Sequence, residues 1–314
     1  MRKRIPFIIG AITAVGIGAA IVLNSGDSVG HWRNAQAQAT YLEHYETALA
    51  DGPAPDAKLD LRTDAGVVRV LRYDGPADTQ PIVLLPGTQS GAPMWAGNVP
   101  SLRAQRTVYV VDLLGQPGLS VASREIVSAE DDARWLAQAI GQLPRRPAVL
   151  GHSLGGWLAM NLAVNEPDVA SKIIVLDPVL TFGDLSLDAI VRSVPASLPW
   201  LPRGWRDDFA SWTANDAPVD DDPVARMIEA GMQGYALGAP APVRFTDEQL
   251  EGIDARVLVI MAGASRMHDP AAAADVAGQH LPQATVLTYP DASHAITGEE
   301  SGRIAHDIAD FLDD

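Results

Sequence analysis

The stretch Val149-Leu150-Gly151-His152-Ser153-Leu154-Gly155-Gly156-Trp157 constrains this chain more than any other. The apolar run Pro147 to Leu150 reads as the end of a buried strand, and Leu154 to Val164 carries helical apolar spacing. Ser153 therefore sits where a strand becomes a helix. Gly151 and Gly155 suit a sharp, crowded turn, because a side chain at either position would collide with the neighbouring strand or helix. Such a turn presents the Ser153 hydroxyl above a sheet edge as a nucleophile. The same turn places the backbone N–H of Leu154 at a helix N-terminus, near any oxyanion that forms.

The rest of the chain supplies a sheet for that turn. Leu59 to Thr63 and Val67 to Tyr73 flank Asp64-Ala65-Gly66, a hairpin signal. Short apolar runs then alternate with helical stretches: Ile82 to Leu85, Thr107 to Val111, Ala148 to Leu150, Ile173 to Leu176, Val257 to Met261 and Thr285 to Leu287. A hairpin followed by this alternation predicts an α/β fold with a mostly parallel central sheet and helices on both faces. Ligands then belong at the carboxyl ends of the strands. At 314 residues, one large α/β domain with an appendage is the natural division.

Composition excludes several classes of function. A net charge of −16 argues against a nucleic-acid partner, which needs clustered Lys and Arg. Zero cysteines exclude disulfides, thiolate metal sites and a cysteine nucleophile. Asp220-Asp221-Asp222 reads as a solvated turn rather than a calcium loop, and no metal or organic cofactor is expected. His31, His44, His268, His280 and His306 read as surface residues.

At the N-terminus, Arg2, Lys3 and Arg4 precede Ile5 to Leu23, an uncharged run of 19 residues that is long enough to span a bilayer. The basic flank predicts an N-inside anchor that holds the domain outside the cytoplasm. The small-residue sites Ala35-Gln36-Ala37 and Ala37-Gln38-Ala39 lie beyond the usual reach of a signal peptidase. An uncleaved anchor is therefore favoured over secretion after cleavage. Asp27 to Asp51 has helical spacing and ends at Gly52-Pro53-Ala54-Pro55, a linker.

Two further loops complete a candidate site. Leu85-Pro86-Gly87-Thr88-Gln89 turns sharply after a core strand, so the N–H of Thr88 is the candidate second oxyanion donor, with Gln89 next and Trp95 packed beneath. His294, in the loop after the last strand, stands where a general base must stand to take the Ser153 proton. The acid is less direct. In the commonest arrangement it stands about three residues after the Gly closing the penultimate strand, and counting from Gly263 that position holds Arg266. Asp177, at the end of the strand through Leu176, is the first substitute. Asp269 is the second, although it precedes Pro270 as a helix N-cap would.

From about Leu59 onward the chain resembles the α/β-hydrolase superfamily. The resemblance rests on Leu85-Pro86-Gly87, Val111-Asp112-Leu113-Leu114-Gly115, Gly151 to Gly156 and Ala292-Ser293-His294. Asp177-Pro178-Val179-Leu180-Thr181-Phe182 makes it similar to bacterial carboxylesterase-like hydrolases, and in related α/β-hydrolases the acid can stand after the sixth strand, which favours Asp177. Pro86 and Arg266 depart from the usual His and Asp.

The resemblance implies an α/β-hydrolase fold with residues 59–179 and 246–314 as core and 180–245 as a helical cap rich in Pro and Trp. Residues 1–26 form an anchor or signal segment, and 27–58 a helical stalk and linker. It further implies a serine hydrolase cleaving carboxylic esters of small to medium apolar acyl groups through an acyl-enzyme. Ser153, His294 and Asp177 would be catalytic, and Leu154 and Thr88 would form the oxyanion hole. Acyl transfer, perhydrolysis, and amide or lactone hydrolysis use the same machinery, and a non-catalytic ligand receptor is the rival from another class.

Overall fold

The computed structural model describes residues 29–219 and 222–314. The strands are β1 (His31–Trp32), β2 (Ala57–Thr63), β3 (Gly66–Tyr73), β4 (Ile82–Leu85), β5 (Val108–Val111), β6 (Val121–Ala122), β7 (Ala148–His152), β8 (Lys172–Leu176), β9 (Tyr235–Ala236), β10 (Arg256–Ala262) and β11 (Ala284–Tyr289). The main sheet has nine strands, ordered β11-β10-β8-β7-β4-β5-β3-β2, with β6 beside β3. From β5 to β11 along that order every pairing is parallel. The expected hairpin is the antiparallel pair β2 and β3, and β3 turns the sheet antiparallel against β5.

Burial follows position in the sheet. All residues of β4, β5 and β7 are buried, as expected of central strands covered on both faces. The edge strand β2 alternates half-buried with exposed. Side chains alternate between two cores, with Val83 and Leu85 in one and Ile82 and Leu84 in the other. The first core is closed by the helices Ala129–Ile140, Leu154–Asn165 and Pro270–His280, and the second by Ala35–Asp51, Val99–Arg103 and Ser301–Asp313. The helix after Ser153 is buried almost all round, so it occupies the middle of its layer.

The stretch assigned above to a stalk packs differently. Its helix runs Ala35–Asp51, starting where the Asn34 side chain accepts the N–H of Ala37, rather than at Asp27. Tyr41 and Tyr45 are fully buried in the second core. Tyr45 donates its hydroxyl proton to Asp112 Oδ2 at 3.0 Å, and β1 pairs with β9 at the end of the cap. The helix is held because its apolar stripe of Tyr41, Tyr45, Ala48 and Leu49 has a core face to cover. Between β8 and Phe245 lie the cap helices Leu187–Ala196, Gly204–Thr213 and Pro223–Gly234. Asp222 caps the last of these through Ala225 N.

Among the described residues no helix is long and apolar enough to cross a membrane, and no group of His, Asp and Glu is placed to hold a metal ion. The apolar run Ile5 to Leu23 lies outside the described residues, as do Asp220 and Asp221.

One buried carboxyl generates a stability test. Asp132, in the first turn of Ala129–Ile140, is buried, and burial pushes its carboxyl up to about 7. The N–H of Trp135 Nε1, 3.0 Å away, opposes the shift, and Asp131 adds to it. A carboxyl that holds its proton more tightly folded than unfolded contributes stability below its unfolded value, about 4. That contribution is lost as pH rises toward the folded value. Asp132→Asn, whose amide oxygen can still accept from Trp135, is expected to be near neutral at about pH 4. In urea denaturation it should gain about 1–3 kcal/mol over the parent at pH 8.

Candidate active site

Four loops meet at the carboxyl edge of the parallel strands, after β4, β7, β8 and β11. Ser153 follows β7 with φ 54° and ψ −117°, a conformation that costs a non-glycine residue about 1–3 kcal/mol. Its surroundings leave no alternative. A Cβ on Gly151 would overlap the Gly155 carbonyl, and one on Gly155 would overlap the Leu85 carbonyl. Gln89, Asp177 and Leu180 also have positive φ, at 54°, 40° and 50°. The other two described non-glycine residues with positive φ, Asn215 and Asp216, lie in the cap loop bonded to Arg266. Strain held against a sheet edge in this way marks a functional site.

The structure joins Ser153, His294 and Asp177 into one chain of hydrogen bonds. His294 Nδ1 lies 2.6 Å from Asp177 Oδ2, and His294 Nε2 lies 3.0 Å from Ser153 Oγ. With Nδ1–H donating to the carboxylate, Nε2 is left to accept the serine proton. Ser153 is 6% exposed and Asp177 is fully buried, so little water screens the chain. Burial alone would push the Asp177 carboxyl up, but His268 and His294 beside it outweigh burial and hold it well below the usual carboxylate range. It is therefore a carboxylate whenever the site is folded near neutral pH. Asp269 is not part of this chain: its Oδ1 accepts from Ala271 and Ala272, both at 3.1 Å, and so caps the helix Pro270–His280.

Several residues at the site were not assigned above. Asp177 also accepts from the Ser265 hydroxyl at 2.7 Å and from Ala262 N at 3.3 Å. His268, read above as a surface residue, is 5% exposed, with Nε2 3.2 Å from Asp177 Oδ1. It is buried because the loop after β10 folds across the end of β8, a lateral contact invisible in local spacing. His280 and His306 do lie at the surface, beside Glu251 and Asp310. His152 Nε2 donates to the His294 carbonyl at 2.8 Å; burial and the neighbouring His294 lower its pKa to about 3, so it stays neutral while fixing the His294 backbone.

The oxyanion candidates are placed as follows. Leu154 opens its helix, and a first helical residue has no acceptor four residues back for its N–H. In the loop after β4, the N–H of Gln89 is taken by Gln116 Oε1 at 2.9 Å, which leaves Thr88 as the donor candidate of that loop. Trp95 is fully buried just downstream. Arg266 occupies the usual acid position but turns outward to the cap, with both guanidinium nitrogens on Asp216 at 2.9 and 2.8 Å.

A model described as the alpha/beta hydrolase family matches residues 82–307. An uncharacterized carboxylesterase of Bacillus subtilis, nap, is 24% identical over 280 residues, covering 87% of this chain and 92% of the relative. The solved naproxen esterase (carboxylesterase NP) of Bacillus subtilis superposes with a TM-score of 0.82 at 23% identity, over 89% of this chain and 99% of that one. A membrane phospholipase A, described as a novel bacterial virulence factor, superposes with a TM-score of 0.67 at 17% identity over 98% of each chain.

If Ser265 holds the Asp177 carboxylate in place, Ser265→Ala slows covalent labelling of Ser153 by a fluorophosphonate about tenfold, the cost of one lost hydrogen bond to a buried charge. Ser265→Thr, which keeps a hydroxyl, labels near the parent rate in the same gel assay.

Proposed function

The chain belongs to the alpha/beta hydrolase family, and on that premise we propose that it hydrolyses carboxylic esters of small to medium apolar acyl groups, with Ser153 as nucleophile, His294 as general base and Asp177 as the acid. The observation that carries this reading is the continuous relay from Ser153 Oγ through His294 to Asp177, at 3.0 and 2.6 Å. His294 takes the Ser153 proton as the hydroxyl oxygen attacks the ester carbonyl, and Asp177 stabilises the imidazolium that results. The N–H groups of Leu154 and Thr88 stabilise the oxyanion, the alcohol leaves with the proton from His294, and water repeats the sequence to release the acid.

The carboxylesterase names of the similar Bacillus subtilis proteins support the ester as the bond cleaved. Leu154, which follows the nucleophile, and Val179 and Leu180, two and three residues after the acid, are apolar, which suits an apolar acyl group. Residues 5–23 are proposed to anchor the chain in a membrane, with the catalytic domain on the extracytoplasmic side.

A p-nitrophenyl ester series of increasing chain length tests the proposal. Ser153→Ala is expected to abolish turnover, Asp177→Asn to lower kcat/KM about 10⁴-fold, and Asp269→Asn to leave it within about twofold. A folded parent that turns over no ester and takes up no fluorophosphonate would contradict the hydrolase reading. Release of a product other than the free acid would move the reaction to acyl transfer.

A further inference from the structure

The cap carries an apolar surface that the catalytic reading does not use. Among the described residues seven large hydrophobic side chains are exposed, and four of them fall between residues 187 and 205: Leu187 (56%), Val191 (68%), Trp200 (68%) and Trp205 (50%). Leu187 and Val191 are four apart and share one face of the helix Leu187–Ala196, while Ala189 and Ile190 turn inward. That helix packs on Gly204–Thr213, whose second residue is Trp205, and Trp200 lies in the connection between them. Exposed large side chains concentrated on one segment indicate a contact surface.

The path of the chain indicates what covers it. Only five residues, 24–28, separate the apolar run ending at Leu23 from the first described residue, Val29. Even fully extended they leave the fold within about 20 Å of the end of that run. The chain enters the fold at the cap, because β1 pairs with β9. A few residues later Asn34, Gln36 and Ala37 line the same groove as Pro199 and Arg203, which flank Trp200 and precede Trp205. The exposed tryptophans therefore sit beside the point where the membrane segment joins the body.

Charge points the same way. From residue 187 to 208 the charged residues at the surface are Asp188, Arg192, Arg203, Asp207 and Asp208, Arg206 being buried beside Glu229, which leaves a net of only −1 in a chain of net charge −16. This face avoids most of the repulsion that the rest of the surface would meet at an anionic bilayer. It has no basic excess with which to select anionic lipid. Tryptophan, apolar with one polar N–H, favours the boundary between water and acyl chains.

We propose that the face formed by Leu187, Val191, Trp200 and Trp205 docks onto the lipid bilayer that holds the N-terminal segment, setting the cap at the lipid surface to receive ester substrates from it. The proposal rests on the anchored reading above, and the experiment separates the two. The full-length chain is reconstituted into phosphatidylcholine vesicles with and without brominated acyl chains, and tryptophan emission is recorded. Trp95, Trp135, Trp157 and Trp212 are buried, and Trp32 is half-buried at the point of entry, so the quenching that disappears when Trp200 and Trp205 are replaced is the part that reports on the docking face.

Brominated lipid is expected to quench roughly a quarter of the parent emission, unchanged by salt, because two of seven tryptophans reach the interface. The double variant Trp200→Ser, Trp205→Ser loses that quenching. It keeps parent activity on a soluble p-nitrophenyl ester, and its turnover of a bilayer-resident ester falls about tenfold. A parent that floats with the vesicles yet is unquenched, or is quenched equally in the double variant, overturns the docking while leaving the anchor standing. The docking is likewise overturned if the parent is unquenched and its size in detergent is that of two chains, with a second copy covering the tryptophans. A chain that does not float with the vesicles overturns the anchor, and the docking with it.

Discussion

The site depends on a single buried carboxylate. Asp177 has no solvent exposure, yet its environment keeps it ionised. A charge in that position is tolerated only when its lone pairs are filled by donors from the surrounding elements. Here they come from Ala262 at the end of β10, Ser265 in the following loop and His294 after β11, with His268 alongside. The backbone of Asp177 is tied to the same neighbour through its N–H and the Ile260 carbonyl. One carboxylate thus brings three strand ends into register, and the base that Ser153 needs is aimed by the same bond that satisfies the charge.

Placing the acid after β8 releases the position after β10 for another use. Arg266 makes a bidentate pair with Asp216 of the cap, and the Ser186 hydroxyl donates to the Arg266 carbonyl. The His294 N–H donates to the Thr213 carbonyl at 3.2 Å, so the loop bearing the base also touches the cap. The exposed ion pair adds little stability by itself. Its bidentate geometry gives direction instead, aligning the cap loop with the loops that carry the relay.

Much of this was legible in the sequence. The apolar runs marked the parallel strands to within a residue or two because central strands are buried on both faces and leave no polar interruption. Gly151 and Gly155 betrayed the Ser153 turn: Gly151 is required by the carbonyl of Gly155 within the same turn, and Gly155 by the end of the neighbouring strand at Leu85. His294 was legible from its place after the last strand. Ser265, His268 and Gln116 were not, since each acts across the sheet edge on a residue at least 27 positions away. The helix Ala35–Asp51 was legible as a helix but not in its docking, which turns on the pairing of Tyr45 with Asp112. The preference for Asp177 over Asp269 agrees with the geometry, and its physical reason is the capping role of Asp269.

The central claim is that His294 takes its carboxylate partner from Asp177. Proton NMR of the folded protein tests it most directly, through the strongly deshielded resonance of a proton held between an imidazole nitrogen and a carboxylate. The resonance is predicted in the parent and in Asp269→Asn, and is predicted to vanish in Asp177→Asn. Its survival in Asp177→Asn, or its loss in Asp269→Asn, would contradict the assignment and place the acid elsewhere.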